Sequence, residues 1–182
     1  MTIPAEIRAR SLAEARFYLE INPCRSCRNG RLEIDQIETE DRHIDHVLRF
    51  EAVCQRCGHR HVQRFRIDAS LAEPQEPPII NPTSVPSQII DVAQWITLAH
   101  LLATRSESPG DRQSAHQAAC WAGLCLEEAL KFYEDPNELP PDSAFLDAVR
   151  RRQARAYPQQ YARTVLIDLR RRLPGPAPRR TK

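Results

Sequence analysis

Cys24-Arg25-Ser26-Cys27 and Cys54-Gln55-Arg56-Cys57 are two Cys-x-x-Cys pairs with 26 residues between them. A two-residue gap lets both thiolates of a pair face one ion from a tight turn. The intervening length suffices for a strand hairpin that brings the pairs together. Four thiolates at ~2.3 Å in a closed tetrahedron are the usual form of structural zinc. The spacing therefore predicts one structural Zn2+ held by Cys24, Cys27, Cys54 and Cys57. Gly58 follows the second pair, where the turn favours a residue free to take positive φ, and Asn22-Pro23 suits the first. An iron–sulfur cluster also takes four thiolates, and colour separates the two. A redox Cys-x-x-Cys expects a strand-to-helix setting, which is not seen here. A four-cysteine shell needs no histidine, although His43, His46, His59 and His61 are close in sequence. His59 and His61 read as strand residues, able to donate to a thiolate.

The other chemistry-bearing residues read more plainly. Cys120 and Cys125 are five apart in an apolar helix and behave as small buried hydrophobes. His100 and His116 have no acidic or nucleophilic partner at a telling spacing. Glu127 and Lys131 make a helix-supporting pair at i,i+4. There is no Gly-rich phosphate loop, no Gly-x-Ser-x-Gly elbow and no helical Glu-x-x-His. No catalytic or organic-cofactor residues are assigned, and the chain reads as a non-enzyme.

Arginines form the remaining pattern. Arg49, Arg56, Arg60, Arg64 and Arg66 cluster around the second cysteine pair, with Arg64 and Arg66 on one strand face. Arg150, Arg151, Arg152 and Arg155 form a run in one C-terminal helix, and Arg170, Arg171 and Arg172 end another. These are candidate contacts to nucleic-acid phosphates. The competing reading is a solvated face, with the helix-end cations favoured by the macrodipole.

The elements that must position these groups follow from periodicity. Residues 4–20 have roughly helical spacing and end at Asn22-Pro23. Residues 22–68 hold three short runs with period-two alternation, as in half-buried strands. Three such strands bury too little to be stable alone and need a staple. Five prolines between residues 73 and 86 (Pro74, Pro77, Pro78, Pro82 and Pro86) predict an extended connector. Residues 87–173 read as about four helices: one from an N-cap at Ser87 to Thr104, one from Asp111 to Glu134, one from Asp142 or Ser143 to Tyr157, and one from Pro158 to Leu173.

Both knuckles and the strands between and after them resemble the zinc-ribbon fold group over residues 22–68. The resemblance implies a three-stranded antiparallel sheet with zinc at one end. It implies no particular activity, because ribbons serve many proteins as scaffolds. The expected architecture is thus α+β: an N-terminal helix (1–21), a small three-stranded antiparallel zinc ribbon (22–72), a proline-rich linker (73–86), an all-helical domain (87–173) and a disordered basic tail (174–182).

Bulk properties bound the function. With 41% hydrophobic and 27% charged residues, the 182-residue chain has a globular composition. No run of roughly eighteen apolar residues marks a membrane span. The N-terminus lacks a secretion-signal core, so the expected location is cytoplasmic and the six cysteines are expected to be reduced. The net charge of +2 hides an asymmetry of −7 up to Ala144 and +9 beyond it. The resulting expectation is a non-catalytic interaction or regulatory module whose partner is a protein. The alternative is DNA or RNA binding through the arginine-rich ribbon and C-terminal helices.

Overall fold

The computed structural model describes residues 6–42, 45–68, 79–107, 111–135 and 139–175. The chain divides into two compact units, Met1–Ile80 and Asn81–Lys182.

The first unit contains strand β1 (Glu6–Arg8), helix α1 (Leu12–Ile21) and strands β2 (Leu32–Arg42), β3 (Asp45–Cys54) and β4 (Arg60–Asp68). Its sheet has the order β1-β4-β3-β2. β2, β3 and β4 are antiparallel neighbours, as a ribbon requires, but β1 pairs in parallel with β4. The sheet is therefore four-stranded and mixed, not three-stranded and antiparallel. The expected helix over residues 4–20 is also corrected, because a strand precedes it and the helix starts only at Leu12. The cause is local. Ser11 and Glu14 have capping-box spacing: Ser11 Oγ accepts from Glu14 N at 3.1 Å, and the Glu14 carboxylate accepts from Arg10 N. That fixes the first helical turn and leaves Glu6-Ile7-Arg8 free to pair with Arg64-Phe65-Arg66.

One sheet face and α1 together bury Leu48, Phe50, Ala52, Phe65, Ile67, Ala15, Phe17 and Leu19. Phe65 makes edge-to-face contacts with both Tyr18 and Phe50. Ile80 is buried in the same unit, and its carbonyl accepts from Ser11 Oγ at 2.6 Å. The unit boundary falls inside the proline-rich stretch. Pro74, Pro77 and Pro78 lie outside the described residues.

The second unit contains α2 (Val92–Glu107), α3 (Arg112–Leu130), α4 (Ala148–Ala156) and α5 (Arg163–Arg172), with 3-10 turns at Asp142–Ala144 and Pro158–Tyr161. α2 and α3 pack extensively on each other, and α5 packs on α3. α2 starts at Val92 and not after Ser87, because Asp91 and Gln94 cap it reciprocally. Gln94 N donates to Asp91 Oδ1 at 2.8 Å, and Asp91 N donates to Gln94 Oε1 at 3.1 Å. Ser87 instead holds a turn, accepting from Ile89 N and Ile90 N. The third and fourth expected helices are shorter than their patterns suggest. Leu146 N is drawn to Asp91 Oδ2, and Asp147 then caps α4 through Val149 N and Arg150 N. The Tyr161 carbonyl accepts from buried Tyr133 Oη at 2.6 Å, which separates the 3-10 turn from α5. Glu127 pairs with Arg170, at 2.6 Å, and Lys131 pairs with Glu128, at 2.7 Å, which replaces the expected Glu127–Lys131 pair. Gly123 leaves room for Arg170, since a Cβ there would lie 3.3 Å from the guanidinium carbon. Residues 108–110, between the first two expected helices of this unit, and most of the expected tail lie outside the described residues.

Candidate metal centre

The first knuckle links α1 to β2, and the second is the β3–β4 turn. Both use the same backbone bonds. Arg28 N donates to Cys24 O at 2.7 Å, and Gly58 N donates to Cys54 O at 2.9 Å. Cys24 N donates to Gly30 O, and Cys54 N donates to His59 O, which closes the two loops in turn. The residue after each pair takes a left-handed conformation: φ is 60° at Arg28 and 69° at Gly58. Pairing of Leu32 with Cys54, and the bond from Gln55 N to Arg31 O, set the knuckles side by side.

This places the four predicted cysteines in one cluster. All four sulfurs lie within 4.8 Å of one another. Cys24 and Cys57 are 3.7 Å apart, as are Cys27 and Cys54. Sulfurs at the corners of a tetrahedron with ~2.3 Å bonds are ~3.8 Å apart, so a single ion fits. The same distances exclude disulfides, and all six cysteines are free. A cluster with its thiolates on different irons would need wider spacing. Gly30 makes the approach feasible, because a Cβ there would lie 2.1 Å from Cys54 Sγ and 3.0 Å from Cys27 Sγ. Sequence reasoning identified Gly58 but missed Gly30. Its one signal was a glycine three residues after a knuckle cysteine.

The electrostatics point the same way. The Asn29 backbone N–H holds the Cys27 thiol down at about 6. Burial opposes ionisation of Cys54, but the Cys57 and Arg56 N–H groups outweigh it and lower its pKa. The His59 N–H favours a Cys57 thiolate, yet burial and the neighbouring thiols push it up to about 12. The neighbouring thiols thus favour the Cys27 thiolate and oppose the Cys57 thiolate, and a bound cation would favour the charged form of both. The described cysteines can hold a metal ion.

Among the histidines, His61 Nε2 lies 3.0 Å from Cys24 Sγ, placed to donate to a thiolate. Burial lowers its pKa, with His59 and Arg25 adding to the effect. The His59 ring meets it edge-on. His46 pairs with Ile67 toward the other end of β3 from Cys54, about 26 Å along the strand. His43 lies outside the described residues.

The arginines predicted to face nucleic acid separate into two groups. Glu38, Arg49, Arg64 and Glu6 form one cross-strand row over all four strands. Arg49 bonds Glu38 at 2.8 Å and also Glu51, Arg64 bonds Glu40, and Arg66 bonds Glu6 at 2.8 Å. In the second unit, Arg150 pairs with Asp91 and Asp147, Arg155 with Asp142, Arg170 with Glu127 and Arg171 with Asp168. Arg56, Arg60, Arg152 and Arg172 are exposed, and Arg151 is half-buried.

No protein-family model matches the chain, and no curated protein or solved structure matches it significantly. Among the described residues, no helix is long and apolar enough to cross a membrane.

Proposed function

We propose that the chain is a non-catalytic interaction module whose first unit is held together by one structural Zn2+ on Cys24, Cys27, Cys54 and Cys57, and whose principal partner is another protein. The observation that carries this reading is the convergence of four cysteine sulfurs within 4.8 Å of one another, the donor set of a closed tetrahedral shell. Such a shell leaves no position for water or substrate, so the ion acts as a staple. A protein partner is supported by the second unit, where Leu139, Leu146, Val149 and Tyr157 are 47%, 56%, 64% and 51% exposed. Val149, Gln153 and Tyr157 recur every fourth residue beside exposed Arg152, and interfaces favour Tyr and Arg together with apolar area.

Elemental analysis with a visible spectrum tests the metal, and one zinc per chain without colour is expected. Brown, iron-containing protein would overturn the zinc assignment, and metal-free folded protein would overturn the staple. A photo-crosslinking residue at position 149 tests the partner. It should yield a discrete protein adduct in cells, while the same residue at exposed Gln117 should not. Equal labelling at both positions would remove the protein-interface reading.

A further inference from the structure

We propose that the metal-bearing end of the first unit is a basic cap that grips the phosphate backbone of nucleic acid. This rests on the reading of the knuckles as a metal site. The two knuckles, residues 22–31 and 54–61, contain five arginines and two histidines and no aspartate or glutamate. Among the described residues, only Arg31 of the five bonds a carboxylate, that of Glu20 at 2.9 Å. Arg25, Arg28, Arg56 and Arg60 are exposed. Arg25, Arg28 and Arg56 lie in the two knuckle turns and Arg60 begins β4 beside them, where the four sulfurs converge within 4.8 Å. The Asn29 amide, oriented to suit its neighbours, accepts from Arg56 Nη1 at 3.2 Å and ties one knuckle to the other. A zinc tetrathiolate is a dianion, and four guanidiniums outnumber that charge.

The sheet face shows what a neutralised arginine cluster looks like in this protein. There Arg49, Arg64 and Arg66 already spend their forks on Glu6, Glu38, Glu40 and Glu51. A phosphate would have to displace those carboxylates. At the knuckle end, among the described residues, it would displace no carboxylate from Arg25, Arg28, Arg56 or Arg60, only the Asn29 amide from Arg56.

The composition of the cap decides the class of partner. Its exposed residues are Pro23, Arg25, Ser26, Arg28, Asn29, Arg31, Gln55, Arg56, Cys57, Gly58, His59 and Arg60, so that apart from the ligand Cys57 and the glycine only Pro23 is apolar. A protein interface needs an apolar core. Phosphate contacts are made by this Arg, Ser, Asn and Gln set, and guanidinium forks match phosphate oxygens. The contacts would be to backbone, so the cap reads charge and spacing, with little preference for sequence.

The test is fluorescence anisotropy of the full, zinc-loaded chain with labelled duplex DNA, duplex RNA and single-stranded RNA of one sequence, titrated with salt. Each duplex phosphate contact adds about 0.9 to the log–log salt slope, so losing four should reduce it by about 3 to 4. Arg25, Arg28, Arg56 and Arg60, all changed to Gln, should show that loss with zinc content and melting unchanged. Arg152→Gln with Arg172→Gln, in the second unit, should leave the slope as it is. If the quadruple variant loses zinc, Arg56→Gln with Arg60→Gln is used and should remove about half the effect. An unchanged slope in zinc-loaded variants overturns the proposal. So does binding of labelled poly-glutamate with no binding of any oligonucleotide at low salt, which would assign the cap to an acidic protein segment. Folded protein that lacks zinc yet still binds would overturn the metal reading instead, which keeps the two failures distinguishable.

Discussion

The two units each gather charged or ionisable groups at a structural centre, but they neutralise them by different means. In the second unit the centre is Asp91, whose side chain is fully buried. Every donor it needs comes from the chain: Gln94 N, Leu146 N and the Arg150 guanidinium at 2.6 Å. In the first unit the centre is four thiols whose sulfurs lie within 4.8 Å of one another, a group able to hold a metal ion. A centre whose partners all come from the chain needs no ion from solution. A centre that awaits an ion makes the fold of its unit conditional on that ion.

Removing the metal should produce the largest effect and the sharpest contrast. Cys54→Ser, or a strong chelator, is expected to unfold the first unit. Structural zinc contributes roughly 10–16 kcal/mol in small metal-dependent domains, so a loss above ~5 kcal/mol is expected. Both tryptophans, Trp95 and Trp121, belong to the second unit. Their emission should stay native while amide exchange rises through β2, β3 and β4. Unchanged exchange in metal-free protein would show that the apolar core under α1 suffices. A shift in tryptophan emission would end the contrast from the other side.

Asp91→Ala should reverse the pattern. It removes the cap of α2, leaves Leu146 N without its acceptor and leaves Arg150 with Asp147 alone. Breaking a buried ion pair costs roughly 3–5 kcal/mol. Arg150 is 32% exposed, so the lower end, ~3 kcal/mol, is expected. Urea unfolding followed by tryptophan emission measures it, and bound zinc should not change. Asp91→Asn keeps a good cap and should cost less. Equal losses for the two would mean that the charge of Asp91, and not its capping, holds the unit.

The contrast also explains what could be read from the sequence. The thiol cluster was legible because a knuckle is a local device: a two-residue gap and a following turn specify it within one loop. The Asp91 centre was not, because Arg150 is 59 residues away and nothing near Asp91 announces it. β1 escaped because Glu6-Ile7-Arg8 is too short to show a period, although Ser11 and Glu14 did mark where the helix had to begin. The arginines misled for the same reason. Arg49, Arg56, Arg60, Arg64 and Arg66 are neighbours along the chain, but the sheet register puts Arg49, Arg64 and Arg66 against glutamates of other strands and leaves Arg56 and Arg60 at the metal end. Arg25 and Arg28 share that end and were overlooked, because their partners across the knuckles are some thirty residues on.

The smallest effect sharpens the comparison within the metal centre itself. In both knuckles the residue after the second cysteine is left-handed, and it is Gly58 in one and Arg28 in the other. A side chain there costs roughly 1–2 kcal/mol, less the chain entropy that a glycine adds to the unfolded state. Arg28→Gly should therefore stabilise the zinc-loaded unit by about 0.5–1 kcal/mol, while Gly58→Ala should destabilise it by a similar amount. A Cβ at Gly58 meets nothing within 4 Å, so the backbone alone sets that cost. Chemical denaturation followed by amide exchange of the first unit measures both. Arg28→Gly should also weaken polyanion binding as it strengthens the fold, since it removes one cap charge. That opposition would show the first knuckle retaining a strained arginine for its charge. If Arg28→Gly lowered stability, Arg28 would have to hold the knuckle through its side chain, and the equivalence of the two loops would fail.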